Sequence, residues 1–194
     1  MRSVLLGREI REENLLPGYF FHGEEMFLAR EFIQELKTAL LSPEAQSVSF
    51  ERFDLEETVW RDIMDIARTM PFFFSPRRLL VVEIISSKSR EKLSTGKEKS
   101  IPEMEDMTED EQKIITEYFA SPSPRTIMLV LFSGKIQKSK PLYKLFSSLP
   151  SSTVFVRELK VLKNKNLETW ANERLEVMGK HASQEAIEIG RAHV

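Results

Sequence analysis

The sequence predicts an α/β protein built on a parallel β-sheet with helices on both faces. Three observations carry that expectation. Strand-like runs alternate with amphipathic helical runs along the chain. Two of the runs, residues 79–85 and 126–132, are apolar almost without interruption, as strands buried on both faces are. The 194 residues combine 41% hydrophobic with 30% charged side chains, a balance that supports a folded core rather than disorder.

In order along the chain, a short helix is expected over residues 3–14, broken by Leu15-Leu16-Pro17-Gly18. Tyr19-Phe20-Phe21 reads as a buried strand that ends at His22-Gly23-Glu24-Glu25. From 24 to 41, Leu28, Phe32, Leu36, Ala39 and Leu40 recur at helical spacing, and Ser42-Pro43 stops that helix. Residues 48–53 alternate apolar and polar, which predicts a strand with one covered face. Trp60, Ile63, Met64, Ala67 and Met70 mark a second amphipathic helix, ended by Pro71. Phe72-Phe73-Phe74-Ser75-Pro76 leads into the apolar strand at 79–85.

Residues 86–107 are rich in Ser, Lys and Glu and predict a solvated loop. Thr108 followed by Glu111 is a capping box, opening a helix with Ile114, Ile115, Tyr118 and Phe119 on its inner side. Ser121-Pro122-Ser123-Pro124 turns the chain into the strand at 126–132, and a helix at 139–149 and a strand at 153–159 complete the run. Five strands interleaved with helices fit a RecA/AAA+-like (P-loop NTPase-like) arrangement over residues 1–160. A second unit then begins with a helix capped at Asn164, carrying Leu167, Trp170, Ala171, Leu175 and Met178, and closed by Gly179.

Composition excludes several function classes. The net charge of −2 argues against a wholesale nucleic-acid binder, so any DNA contact has to be local or supplied by partners. The absence of cysteine rules out disulfides and cysteine-ligated zinc or iron–sulfur centres. His22, His181 and His193 are too scattered to suggest a metal site. No apolar run approaches the ~20 residues of a membrane span and no signal-peptide pattern opens the chain, so the expected compartment is the cytoplasm.

A nucleotide-hydrolysing P-loop needs glycines that bring backbone N–H groups to the phosphates, and a lysine-hydroxyl pair that completes the cradle. Here the first core strand runs instead into Gly23-Glu24-Glu25-Met26-Phe27-Leu28-Ala29-Arg30. Two carboxylates stand where phosphate would sit, and like charges repel. Gly23, Glu24 and Glu25 therefore read as a degenerate phosphate loop. Met26 and Phe27 read as core residues filling the space a nucleotide would take. Gly96-Lys97 and Gly134-Lys135 read as ordinary loops, since neither continues into a phosphate-binding pattern. Glu83 stands near the place of a Walker B carboxylate but lacks an acidic neighbour, and reads as structural. No Ser/His/Asp set, paired-carboxylate motif or G-x-S-x-G is present, so no catalytic residue, cofactor or metal is expected.

Several strings, in order, resemble the DNA polymerase III delta subunit family. They are Tyr19-Phe20-Phe21-His22-Gly23-Glu24-Glu25 with Phe27-Leu28, Phe50-Glu51-Arg52-Phe53-Asp54, Ala67-Arg68-Thr69-Met70-Pro71-Phe72-Phe73, and Arg77-Arg78-Leu79-Leu80-Val81-Val82. Pro122-Ser123-Pro124, Ser139-Lys140-Pro141-Leu142-Tyr143-Lys144 and the Leu167, Trp170 pair follow.

The resemblance implies a clamp-loader delta subunit, which binds the ring-shaped sliding clamp (the beta subunit) and opens it during DNA replication without hydrolysing ATP itself. It would be a non-catalytic subunit of a DNA-directed DNA polymerase holoenzyme, a nucleotidyltransferase only by association. It places a hydrophobic clamp-binding plug at Met70, Phe72 and Phe73, with Phe74 a neighbour. The other loader subunits would be partners of the full-length protein. The resemblance also makes residues 161–187 the beginning of a truncated helical lid domain, with the apolar face around Trp170 exposed. Residues 188–194 are expected to be the translation of a short-read sequencing adapter. Lys88, Arg90, Lys92, Lys97 and Lys99 could touch DNA, although a solvated loop is the simpler reading. The competing functions are a degenerate AAA+-type adaptor with another protein partner and an atypical P-loop NTPase.

Overall fold

The computed structural model describes residues 2–3, 8–9, 15–71, 75–85, 106–161, 165–177 and 179–181. Strands β1 (Arg2–Ser3) and β2 (Arg8–Glu9) form a two-residue antiparallel ladder in place of the helix expected over 3–14. A helix there would have to contain Gly7, at a cost of about 1 kcal/mol relative to alanine.

The main sheet contains β3 (Gly18–Gly23), β4 (Phe50–Asp54), β5 (Arg78–Ile85), β6 (Thr126–Ser133) and β7 (Val154–Leu159). All pairings are parallel and the order is β4-β5-β6-β3-β7. Helices α1 (Met26–Leu40), α2 (Pro43–Ser49), α3 (Trp60–Arg68), α4 (Glu109–Ala120) and α5 (Pro141–Ser148) connect the strands. Helix α6 (Lys165–Val177) follows the last strand.

The apolar runs are continuous because they feed two cores. Alternate strand residues point to opposite faces. Phe20, Leu80, Val82, Met128, Val130 and Phe132 meet α3, α4 and α5 on one face. Tyr19, Phe21, Leu79, Val81, Ile127 and Leu129 meet α1 and α2 on the other. On the first face Phe20 stacks on Phe146 with ring centroids 4.8 Å apart. Edge strand β4 differs from the expected strand with one covered face: Phe53 joins one core and Phe50 the other. Three residues apart on a strand, the two rings must lie on opposite faces.

Local signals account for most helix boundaries. Thr108 and Glu111 form the expected reciprocal capping box, with the Glu111 amide donating to Thr108 Oγ1 at 3.2 Å and the Thr108 amide donating to Glu111 Oε2 at 2.9 Å. Ser42-Pro43 ends α1 as expected but also starts a new helix. Ser42 Oγ accepts from the Ala45 amide and Pro43 occupies the first turn, so Val48 and Ser49 are helical rather than extended.

On α1 the buried face includes Met26, Ala29, Phe32, Ile33, Leu36 and Leu40, while Ala39 is exposed. Met107, expected at the end of a solvated loop, is buried in the first core, and Gln112 donates to its carbonyl at 3.1 Å. Residues 86–105 of that loop, including Lys88, Arg90, Lys92, Lys97 and Lys99, lie outside the described residues, as do 188–194.

Gly179 closes α6 as expected. With φ of 66°, it donates to the Glu176 carbonyl, and the Lys180 amide donates to the Leu175 carbonyl. These are the two bonds of a Schellman cap.

Tyr118 lies in the first core, 1% exposed, edge-on to Phe119. Its hydroxyl has no hydrogen-bond partner among the described residues. Burial pushes the phenol from 10 up to about 12, an effect that the nearby Ser123 backbone only partly offsets. Between those values the unfolded chain has lost the proton while the native state keeps it, so stability falls as pH rises. The loss across that window is expected to be on the order of 2–3 kcal/mol. In urea titrations, Tyr118→Phe should lack this alkaline loss.

Candidate functional site

Two corners of the sheet carry the residues that the sequence singles out. The first lies where β3 passes into α1, at the carboxyl ends of the strands. Only Glu24 and Glu25 separate Gly23 from the first residue of α1. Gly23 has φ of 133°, and a Cβ built there would stand 2.2 Å from the Leu159 carbonyl oxygen. That same oxygen accepts from the Glu25 amide at 3.2 Å, so the end of β7 closes over the start of the helix. The Gly134 amide donates to the Gly23 carbonyl at 2.8 Å, bridging the end of β6 to the end of β3.

Glu24 pairs with Lys135 at 3.7 Å, but both side chains are exposed, and such a pair is worth little in stability. Gly134-Lys135, read from the sequence as an ordinary loop, thus supplies a backbone bridge and a counter-charge. His22 is buried just before this corner, edge-on to Tyr143 at 5.4 Å. Burial lowers its pKa; Glu158 acts in the opposite direction, and Lys138 adds to the lowering.

Met26 is buried as expected, but Phe27 is not a core residue: it is 48% exposed. It points away from the sheet and meets the Trp170 ring of α6 edge-on, with centroids 5.7 Å apart. One turn further along both helices, Arg174 Nη2 pairs with Glu31 Oε1 at 2.7 Å. The two contacts hold α6 against α1. Leu167, Trp170, Ala171 and Leu175 are half-buried as a result, which corrects the expectation of an exposed face around Trp170.

Glu83 at the carboxyl end of β5 pairs with Arg52 of the edge strand at 3.2 Å, in keeping with a structural role. Among the described residues, no group of His, Asp and Glu is arranged to hold a metal ion. Among the described residues, no helix is long and apolar enough to cross a membrane.

The second corner lies at the opposite edge of the sheet, where α3 passes into β5. Met70, expected on the buried face of the helix, lies beyond its end and is 73% exposed. The helix stops at Arg68, and the Thr69 amide turns back to the Ile66 carbonyl at 3.1 Å. Pro71, next in the chain, is buried. Phe72, Phe73 and Phe74 lie outside the described residues.

Arg78, to which no sequence pattern assigns a role, organises this corner. Arg78, 6% exposed, extends its guanidinium under the end of α3. Nη1 donates to the Ile66 carbonyl at 2.5 Å and to Thr69 Oγ1 at 2.6 Å, and Nη2 reaches the Met70 carbonyl at 3.4 Å. Glu51 stands 3.7 Å from Nε as counter-charge. Thr126 Oγ1 donates to the Ala67 carbonyl at 3.0 Å. The final carbonyls of a helix lack intrahelical partners and carry the negative end of its dipole, which suits a buried cation there. Hydrophobic periodicity cannot reveal such a residue; the only hint is an arginine directly preceding an apolar strand.

The family model described as DNA polymerase III, delta subunit matches residues 19–159. Among solved structures, the chain is similar to the DNA clamp loader delta protein of Bacillus subtilis. That match has 25% identity and a TM-score of 0.65, over 91% of this chain and 48% of that one. It is also similar to a DNA polymerase III gamma subunit-related protein of Thermotoga maritima. Here the identity is 14% and the TM-score 0.45, over 87% of this chain and 51% of that one. The chain thus spans about half the length of each of these proteins. No curated protein matches it. The parallel sheet flanked by helices is of the RecA/AAA+-like kind that the sequence predicts.

Gly23 is the residue of the first corner least able to change. Gly23→Ala forces a side chain into the positive-φ region and against the Leu159 carbonyl. The strain alone is expected to cost roughly 1–3 kcal/mol, read as a lowered urea midpoint. Lys135→Ala, which removes only an exposed ion pair, should lower stability by less than about 1 kcal/mol in the same titration.

Proposed function

Because the chain belongs to the DNA polymerase III delta subunit family, we propose that it is the clamp-binding subunit of a bacterial clamp loader, opening the ring-shaped sliding clamp without hydrolysing ATP itself. The observation that carries this reading is Met70. A large apolar side chain, 73% exposed, stands beside a buried proline at a corner whose backbone is tied down by Arg78. Aromatic and apolar side chains presented from a rigid corner make good anchors, since little ordering entropy is lost on docking. Met70, Phe72, Phe73 and Phe74 form the clamp-binding element on this reading.

The absence of nucleotide binding is part of the proposal. It is supported by the two-residue link between β3 and α1, the Leu159 carbonyl held against Gly23 and bonded to the Glu25 amide, and the carboxylates of Glu24 and Glu25 at the same place. Contacts with the other loader subunits belong, on this reading, to the full-length protein, and any contact with DNA is indirect. Residues 1–160 then form the clamp-facing domain, and α6 begins a lid domain.

Two measurements test this. The chain should bind its cognate sliding clamp, and the double change Phe72→Ala with Phe73→Ala should weaken binding about a thousandfold, at ~2 kcal/mol per anchor. Met70→Ala, at a site outside the core, should weaken binding about tenfold or more while leaving the urea midpoint unchanged. Normal clamp binding by the double variant would overturn the assignment of the element. A fluorescent ATP analogue should show no saturable binding, and a micromolar affinity would overturn the nucleotide-free reading.

A further inference from the structure

We propose that Arg78 is a positioning residue for the exposed Met70 side chain, fixing its direction before any partner arrives; this rests on the clamp-binding reading above. Arg78 acts on both ends of the connection between α3 and β5. Its side chain holds the outgoing end through the oxygens of Ile66, Thr69 and Met70. Its backbone amide holds the returning end, donating to the Arg125 carbonyl at 2.8 Å at the start of the sheet. The carbonyl of Met70 is thereby drawn inward while its side chain remains exposed.

The chemistry calls for arginine. Three oxygens lie within reach of two terminal nitrogens of one planar group, while Nε faces Glu51. A lysine ammonium is a single point on a flexible stem and cannot serve both sides at once. The cation is also buried, so the geometry depends on its counter-charge and on the carbonyls around it. Thr126 provides a natural comparator. Its hydroxyl bonds the Ala67 carbonyl in the same helix turn and Ser123 Oγ, whereas the bonds to Thr69 and Met70 come from Arg78.

The chain contains no cysteine, so Met70→Cys creates a unique attachment point for a nitroxide label. In the labelled full chain, the spectrum should be that of a restricted side chain. Adding Arg78→Met or Arg78→Lys should narrow the lines toward a freely moving label, whereas Thr126→Val should leave them unchanged. In the unlabelled chain, Arg78→Lys and Arg78→Met should weaken clamp binding at least about tenfold, and Thr126→Val less than about twofold, at whatever stability each retains.

Circular dichroism establishes which variants are folded; if Arg78→Met is not, Arg78→Lys decides. Unchanged label motion in a folded Arg78 variant overturns the proposal, as does equal loosening by Thr126→Val. Should the parent chain fail to bind the clamp, the clamp-binding reading falls while the label spectra still decide whether Arg78 orders position 70.

Discussion

Burial of the central strands on both faces is the constraint from which the rest of the molecule follows. β5, β6 and β3 are flanked by strands on either side and covered by helices above and below, so their side chains are almost entirely apolar. Polar backbone groups in such strands are satisfied within the ladder, because no water reaches them. Polar chemistry is therefore driven to the strand ends. Since all five strands are parallel, the ends fall into two sets, one at each edge of the sheet.

The two edges use their polar groups differently. At the carboxyl edge the chain satisfies itself: the Leu159 carbonyl accepts from the Glu25 amide, the Gly134 amide donates to the Gly23 carbonyl, and Lys135 stands by Glu24. Phe27 and Trp170, with Glu31 and Arg174, join α1 to α6 directly. At the amino edge, Arg78 captures the end of α3, and the side chain of Met70 is left facing outward. One edge is closed by internal contacts, and the other is braced to present a side chain. That division accounts for an AAA+-like fold whose proposed work is docking rather than nucleotide chemistry.

Much of the fold is legible in the sequence because it depends on short-range pattern. Continuous apolar runs mark β5 and β6, the Thr108–Glu111 spacing marks the start of α4, and Gly179 marks the end of α6, each through a rule that operates within a few residues. The same reasoning fails where two local rules compete. Ser42-Pro43 is both a stop and a start, and Met70 fits the spacing of α3 although the helix has already ended at Arg68.

By itself, then, the sequence determined the α/β class, the two-sided burial of the central strands and the two carboxylates at the end of β3. Tertiary structure alone decided the strand order, the docking of Phe27 on Trp170, and the cluster in which Arg78 gathers Glu51, Ile66, Thr69 and Met70. The reason is physical. Hydrophobic periodicity records how one element faces the core, whereas the contacts of Arg78 with Glu51 and Arg125 exist only once β4, β5 and β6 lie side by side.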